Sequence, residues 1–495
     1  MLEKYKKAII IGGSALFIIL NSLAIANEFF LIPLLSFAAI LIYLLIYRVD
    51  ILMYLLAFST PFSVLLENDK IQIGISLPAE IIMISITLLF ICRICYDLTF
   101  HKKLLKHPVN IAVFAYLTWM LITCISSEYP LVSFKFLAAK IWFIVSSYFM
   151  VIQLMQKDIH KWITFFNCYA VALATVVIIT TIKHAMTGFG DRIAHWIMSP
   201  FYNDHTAYGA ILAFFIPITF GMVFLPKIGK AKRTLYILLT IIFIVGLYLS
   251  YSRAAWLSLI GAIAIWSVLK LRIKFSWFIV GIALIGTFFF CFADDILYRM
   301  SRNSQDSSGN LAEQLQSISN ISTDASNVER LNRWQAAFRM IEARPIVGWG
   351  PGTYQFAYAP FQDSRYKTII TTNLGDGGNA HSEYIGPCAE TGFVGLATVL
   401  ALMIFVLYYG ITTYTRSKSK TVRVISLSAT LALITYYIHG TMNNFLDTDK
   451  LSLPFWGAFA IIVVLNCYYT QYSDKQLDST KKDDDFPHEL EHPNN

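Results

Sequence analysis

The chain has 495 residues, of which 56% are hydrophobic and only 14% are charged, and its mean hydropathy is +0.58. Roughly a quarter of the residues in soluble domains are charged, so this composition excludes a soluble globular protein and is typical of a polytopic membrane protein. The formal net charge is +8, but its distribution indicates membrane topology rather than nucleic-acid binding.

About fourteen apolar runs, mostly of about 17 to 23 residues, follow one another along the chain. Each is long enough to cross a hydrocarbon core about 30 Å thick. The runs are 8–26, 29–47, 50–66, 77–97, 109–126, 134–155, 162–182, 206–225, 234–250, 254–270, 275–293, 386–410, 424–442 and 452–470. The sequence therefore predicts an all-α polytopic membrane protein with about 12 to 14 transmembrane helices.

The basic clusters all fall on one side of the membrane if these helices alternate in direction. They include Lys4, Lys6, Lys7, Lys102, Lys103, Lys106, Lys157, Lys161, Lys227, Lys230, Lys232, Arg233, Lys270, Arg272, Lys274, Arg416, Lys418, Lys420 and Arg423. The positive-inside rule makes that side the cytoplasm and places both termini there. The segments 126–128, 188–205, 294–383 and 443–450 are then external.

Four regions are expected: transmembrane helices over 1–293, a large external loop over 294–383, further transmembrane helices over 384–472 and a disordered cytoplasmic tail over 473–495. A loop of about ninety residues is too long for a connector and is expected to be functional.

The second half of the loop should contain short helices. From Glu329 to Ile341, apolar residues recur at 331, 334, 338 and 341, which predicts a helix with its arginines on the opposite face. This helix is expected to pack on the loop or to lie in the membrane interface. Gly348–Gly352 predicts a tight turn, and Gly375–Asn379 a flexible hinge directly before His381.

Arg253 is the first candidate for chemistry. It separates two apolar runs at the predicted outer face, against the positive-inside bias. The planar guanidinium of an arginine can donate two parallel hydrogen bonds to the oxygens of a phosphate or diphosphate. The alternative is an arginine that reaches lipid phosphates without further function.

His381 and Glu390 are candidate catalytic residues. His381 could accept a proton from a hydroxyl, and Glu390 lies in an apolar stretch where a carboxylate is by default a functional candidate. Glu390 could equally be structural and hold the loop in place.

Other external residues are weaker candidates. Arg192 could be a second phosphate clamp, and Lys140 could extend a positive pocket at the start of the sixth helix. Asp447 and Asp449 have a spacing that occurs in metal sites but also in ordinary turns.

The cysteines lie mostly in or beside apolar runs, and no metal site or disulfide is predicted. The chain contains neither a G-x-x-x-x-G-K-S/T loop nor an H-E-x-x-H motif.

Three segments resemble the O-antigen ligase and O-antigen polymerase superfamily of bacterial envelope glycosyltransferases. The first is Ser252-Arg253-Ala254-Ala255-Trp256-Leu257. The second is Arg330-x-x-x-Trp334 followed by Arg344 to Tyr354, and the third is His381 to Tyr384 followed by Ala389 to Leu396. Family ligases usually have twelve helices, so this chain departs from them by about two in its N-terminal half.

The resemblance implies a function. Family members take a glycan from an undecaprenyl diphosphate carrier at the outer face of the bacterial inner membrane; ligases transfer it to lipid A–core and polymerases to another lipid-linked repeat. It further implies that Arg253 contacts the diphosphate, that His381 acts as a base or positions the acceptor hydroxyl, and that a second external arginine exists, for which Arg192 is the best match. The large loop would be periplasmic. No cofactor is expected, because the lipid-linked donor carries its own leaving group and arginines can replace a metal.

A ligase is the preferred interpretation, because this set of motifs is common among ligases, and a polymerase is the alternative. A membrane anion transporter is an alternative of another class, but a transporter should carry its ionisable residues at mid-membrane on broken helices. A structural envelope protein would leave Arg253 and His381 without a role.

Overall fold

A computed structural model describes residues 2–27, 29, 31–68, 73–97, 102–156, 158–272, 325–362, 377–474 and 476. The predicted helix 275–293, the polar segment from 301 to 324 and nearly all of the tail lie outside these ranges. Contacts between residues divide the chain into two units, Met1–Leu56 and Ala57–Asn495.

The first unit consists of two apolar helices and the start of a third. Helix α1 (Leu2–Ala26) packs on α2 (Leu31–Tyr47), and α3 (Val49–Ser59) follows after Arg48, whose Nε lies 3.2 Å from Asp50 Oδ1. Both α1 and α2 leave leucine and isoleucine side chains exposed, which is the pattern of helices that face lipid.

Within the described ranges, the second unit is built from long helices that match the remaining apolar runs, together with helices that lie between those runs. They are α4 (Ala79–Asp97), α5 (Lys102–Leu105), α6 (Pro108–Ile125), α7 (Pro130–Ile144), α8 (Met150–Met155), α9 (His160–Met186), α10 (Asp191–Ala194), α11 (His205–Met222), α12 (Lys230–Leu249), α13 (Arg253–Lys270), α14 (Ala325–Ala343), α15 (Tyr354–Ala357), α16 (Ile385–Arg416), α17 (Lys420–His439) and α18 (Asp449–Val464). The helices that lie between the apolar runs are α5, α10, α14 and α15. One-turn π-helices, Val145–Phe149 and Leu465–Tyr469, continue α7 into α8 and extend α18.

Ten helices in the described part of the chain are long and apolar enough to cross a membrane. They correspond to predicted runs four to ten and twelve to fourteen, so the all-α polytopic fold is confirmed. The apolar stretches Gly12–Ala26, Leu35–Tyr47 and Val49–Phe62 are shorter.

The third predicted span, 50–66, is not one continuous helix. Helix α3 ends at Ser59, a 3₁₀ turn covers Thr60–Phe62, and strand β1 (Val64–Asn68) pairs antiparallel with β2 (Ile73–Leu77). Apolar composition alone could not reveal this, because a short apolar run is compatible with a helix or with a strand.

Small residues allow the membrane helices to approach closely. A Cβ on Gly209 of α11 would lie 2.6 Å from Cβ of Ser252, and one on Gly221 would clash with the Ser428 hydroxyl of α17. Such small-residue contacts are typical of helix packing in membranes, where the hydrophobic effect supplies no attraction between helices. They bring α11, α13 and α17 into one group.

Polar contacts between the loops lie in two separate sets, as expected for the two ends of a helical bundle. In one set, Glu128 N–H donates to Trp349 O at 3.1 Å and Lys450 Nζ to Ser63 O at 2.6 Å. In the other, Lys103 Nζ donates to Cys467 O at 2.6 Å. In the first set, Glu128, Trp349 and Lys450 lie in segments that the charge pattern predicts to be external. We call that end of the bundle the loop end.

Candidate active site

Three helix termini meet at the loop end of the second unit. Helix α11 begins after Asp204, whose Oδ1 accepts the N–H groups of Thr206 and Ala207 at 2.8 Å, a standard N-cap. His205 Nδ1 lies 3.0 Å from the carbonyl oxygen of Ser250, which follows α12. Because a carbonyl only accepts, this nitrogen carries a proton. The bond fixes the start of α11 against the turn that leads to Arg253.

Helix α13 begins with Arg253 and lies beside the end of α17. His439, the last residue of α17, is buried next to the backbone of Ala254, and its Nε2 lies 3.2 Å from Asn443 Nδ2. The His195 ring lies against that of His205, with centroids 4.3 Å apart. The site therefore combines α11, α13, α17 and the segment before α11.

Helix α14 of the large loop packs on the rest of the loop, but only part of the predicted apolar face is buried: Ile341 is 7% exposed and Trp334 Nε1 donates to Ala380 O at 2.9 Å. Ala336, Ala337 and Met340 are fully buried against the start of α16, whereas Leu331 and Phe338 are 38% and 51% exposed. Small alanines allow a closer approach than large side chains do.

The predicted placement of the α14 arginines is also wrong in part, because Arg333 lies on the buried face. Burial of a cation requires a partner. Arg333 Nε forms an ion pair with Glu329 Oε1 at 2.9 Å, one helical turn earlier, and Glu329 is only 2% exposed. The i, i+4 spacing of these two residues is a signal that the sequence offered.

Arg333 contacts His381 directly. Its Nη1 lies 3.2 Å from His381 Nε2 and also donates to the carbonyl oxygen of Asn379 at 3.2 Å. A Cβ on Gly378, where φ is +148°, would clash with this guanidinium. At position 378 of the predicted hinge, glycine therefore allows close packing against Arg333. His381 has a left-handed φ of +47°, and its N–H donates to Asn379 Oδ1 at 3.0 Å.

Burial and the neighbouring arginines keep His381 neutral. Burial lowers its pKa from 6.5 to about 3, and the charges of Arg333 and then Arg330 act in the same direction. Asp204 and Glu329 raise this pKa by smaller amounts. The charge of Asp204 at the start of α11 thus acts on His381, so the loop and the helix termini form one electrostatic site.

The segment 345–354 of the large loop packs into a kink in α16. Gly392 has φ +71° and ψ −176° inside this helix, a conformation nearly restricted to glycine. The kink frees backbone groups, and each finds a partner: Trp349 N–H donates to Ala389 O, Gly350 N–H to Glu390 O and Trp119 Nε1–H to Thr391 O. Such pairing is required of irregular backbone within a membrane protein.

The Glu390 carboxylate holds this inserted turn. Its Oε1 accepts the N–H of Tyr354 at 3.0 Å, and the backbone of Gly352 also binds the carboxylate. These contacts agree with the structural alternative for Glu390. They are made to backbone N–H groups of the loop, whereas the His381 ring contacts the side chain of Arg333.

Lys140 belongs to a separate network at the loop end. Its Nζ binds Asp447 Oδ1 at 2.7 Å and Leu446 O at 2.9 Å. Glu383 accepts the N–H groups of Phe445 and Leu446 and the hydroxyl of Tyr436. Burial, and then the charge of Asp447, raises the pKa of Glu383. This network fixes the turn before α18.

The structure thus gathers some of the predicted site residues and separates others. His381 and the start of α13 at Arg253 border the same region, and the backbone of Arg192 lies in α10, just before His195. Lys140 and Glu390 make the separate contacts described above. Asp447 and Asp449 bind different partners, since Asp449 hydrogen-bonds with Ser63. In the described ranges no three His, Cys, Asp or Glu residues lie close enough to hold a metal ion.

Several buried polar atoms around the helix termini lack a hydrogen-bond partner within the described ranges. They are Ser252 Oγ, Trp256 Nε1 and His439 Nδ1; the side-chain amide of Asn332, within α14 of the loop, lacks a partner as well. Buried polar groups are normally hydrogen-bonded, so such atoms near one site are suited to binding a polar ligand.

Fold and site together define a multi-pass membrane protein with a polar, arginine-rich site at one end of its helices. Residues 238–400 match the protein-family model described as O-antigen ligase. This match confirms the predicted resemblance to the O-antigen ligase superfamily and supports a membrane glycosyltransferase of the ligase or polymerase type. A comparison with curated proteins gives no match.

The matched region includes Arg253, Arg333, His381 and Glu390 and excludes Lys140 and Arg192. Sequence reasoning missed Arg333 and His439. Arg333 was predicted on the face of its helix opposite the apolar residues, and His439 lies at the end of an apolar run without a motif around it.

Proposed function

We propose that this protein transfers a glycan from undecaprenyl diphosphate to an acceptor hydroxyl at the periplasmic face of the bacterial inner membrane. The preferred acceptor is lipid A–core, and a second lipid-linked glycan is the alternative. The observation that carries the proposal is the position of His381 between the arginines of α14 and the termini of the membrane helices. A lipid-linked diphosphate and a hydroxyl can meet only at such a boundary.

The chemistry needs a base and cations. The acceptor oxygen attacks the anomeric carbon of the donor, its proton passes to His381, and the bond to the diphosphate breaks with the electron pair on the leaving oxygen. Arg253 and Arg192 are proposed to stabilise that negative charge, because an arginine fork matches phosphate oxygens. No metal or other cofactor takes part in the proposed step.

Glu390 and Lys140 support the site in different ways. Glu390 is proposed to act through the turn that it holds, since its carboxylate binds backbone amides. Lys140 is proposed to contribute positive charge near the diphosphate while it anchors the turn at Asp447.

The test uses detergent-purified protein with an undecaprenyl diphosphate-linked glycan and each acceptor in turn, with the product followed by gel shift. His381→Ala should lower the rate by about 10²–10⁴ while donor binding persists. His160→Ala, at the start of α9 and away from the loop end, is the matched control and should retain the rate. Near-normal turnover of His381→Ala would remove the base role, and transfer only to lipid-linked glycan would make the protein a polymerase.

A further inference from the structure

The contact between Arg333 and His381 determines which ring nitrogen of the histidine carries the proton. A guanidinium can only donate hydrogen bonds, so His381 Nε2, which lies 3.2 Å from Arg333 Nη1, must accept. A neutral imidazole has one acceptor and one donor nitrogen, so the proton is on Nδ1. The single lone pair that could take a proton from a hydroxyl is therefore occupied by Arg333.

This arrangement is incompatible with immediate base catalysis by His381. We propose that Arg333 is a positioning residue that blocks His381 until the diphosphate of the donor binds and draws the guanidinium away, which frees Nε2 for the acceptor hydroxyl. The inference rests on the proposed function, and it adds an order to it: donor first, acceptor second.

The surroundings of Arg333 suit such a switch. Its Nε is held by buried Glu329, so the terminal nitrogens can turn about a fixed point. Phosphate oxygens bind a guanidinium more strongly than an imidazole nitrogen does, because both partners are charged. The unpartnered amide of Asn332 lies on the same helix, one residue before Arg333.

The remaining charged groups around His381 have opposite signs. Arg330 on α14 adds positive charge, and Asp204 before α11 and Glu329 on α14 add negative charge. A bound diphosphate would bring further negative charge, which favours protonation of the imidazole. The proton then comes from the acceptor hydroxyl, stays on Nε2 while the glycosyl–oxygen bond forms, and leaves to water after the lipid diphosphate departs.

The test measures modification of His381 by diethyl pyrocarbonate, which requires a free ring lone pair, and reads it by peptide mass spectrometry at about pH 7. His160 in the same sample is the internal reference. This readout does not depend on glycan transfer, so it separates failure of this inference from failure of the proposed function. The probe for the donor is inorganic pyrophosphate.

Arg333→Gln should raise the modification rate of His381 by about fivefold, the factor that corresponds to one ordinary hydrogen bond. Pyrophosphate should raise the rate in the unmodified protein and have no such effect in Arg333→Gln. The matched control is Arg339→Gln on the same helix, whose Nη1 binds Phe361 O at 2.6 Å; it should leave His381 unchanged.

Equal rates in Arg333→Gln and the unmodified protein would overturn the inference, and so would protection of His381 by pyrophosphate. If Arg333→Gln does not fold, Arg333→Lys replaces it. Lysine keeps the charge but loses the fork, so His381 should again react faster than in the unmodified protein, and an unchanged rate would count against the inference.

Discussion

The carbonyl oxygen of Ile346 lies where a side chain at residue 392 would begin, so Gly392 is the point at which the large loop enters the membrane helix α16. The N–H of Phe393 donates to Pro345 O at 2.8 Å on the same path. The kink in α16 and the inserted turn therefore hold each other in place, and this junction attaches the large loop to the membrane helices.

Gly392→Ala should destabilise this junction and lower activity with it. A Cβ would clash with the Ile346 carbonyl, and the backbone conformation itself costs about 1–3 kcal/mol for a residue other than glycine. We expect the apparent melting temperature to fall by several degrees, measured by thermal unfolding in detergent. Gly386→Ala in the same helix is the control, since a Cβ there would lie at an ordinary 3.5 Å from Ala380. Equal melting temperatures for the two variants would contradict the assignment.

The titration of His381 should contribute to acid unfolding. Its folded-state pKa of about 3 lies below the ordinary 6.5, so the unfolded chain binds the proton first as the pH falls. The contribution to stability is therefore present above pH 6.5 and is lost progressively toward pH 3. His381→Gln should unfold with a weaker dependence on pH in this range, measured by chemical denaturation at several pH values. An unchanged dependence would mean that His381 has the same pKa in the folded and the unfolded protein, which contradicts the prediction.

Arg253→Lys should impair transfer mainly through the donor. The substitution keeps the charge but removes the planar fork that can bind two oxygens of a diphosphate. We expect a higher KM for the lipid-linked donor, a lower kcat, or both, which together amount to a loss of kcat/KM of about tenfold or more. Arg272→Lys, just beyond the other end of α13, is the matched control. If both variants keep normal kcat/KM, Arg253 does not bind the diphosphate.

Lys140 and Asp447 form a pair whose roles can be separated. Lys140→Met should lower the melting temperature because it leaves Asp447 and the carbonyl of Leu446 without their cation. Adding Asp447→Asn should recover part of that loss, since the unpaired carboxylate is then removed. A higher donor KM in Lys140→Met that persists in the double variant would support the proposed contact with the diphosphate, and an unchanged KM would leave Lys140 a purely structural role.

The loop end of the bundle should be external. In a background without the native cysteines, Ser126→Cys should react with a membrane-impermeant maleimide in intact spheroplasts, whereas Lys230→Cys should react only after lysis. Both positions are exposed, so accessibility does not explain a difference. The reverse pattern would place the site in the cytoplasm and contradict the proposed substrate.

Much of the fold could be predicted because each membrane helix is a long apolar run in the sequence. A hydrocarbon core requires long apolar runs whose backbone groups are satisfied within each helix, and ten of these runs appear as helices of membrane length. The motifs around Arg253 and His381 likewise lie in short continuous segments, so their resemblance to the superfamily was visible before any contact was known.

The tertiary structure decided the features that depend on partners distant in the chain. The β-hairpin after α3, the buried face of α14 and the kink at Gly392 each follow from packing, which composition does not encode. The same holds for the site. Arg333 was expected on the face opposite the apolar residues of its helix, but the fold buries it beside His381. The sequence left Glu390 with a catalytic and a structural role, and only the fold shows its carboxylate binding the backbone at Gly352 and Tyr354. Local sequence determines what a segment can form, but the partner of a buried charge is set by whichever distant segment packs against it.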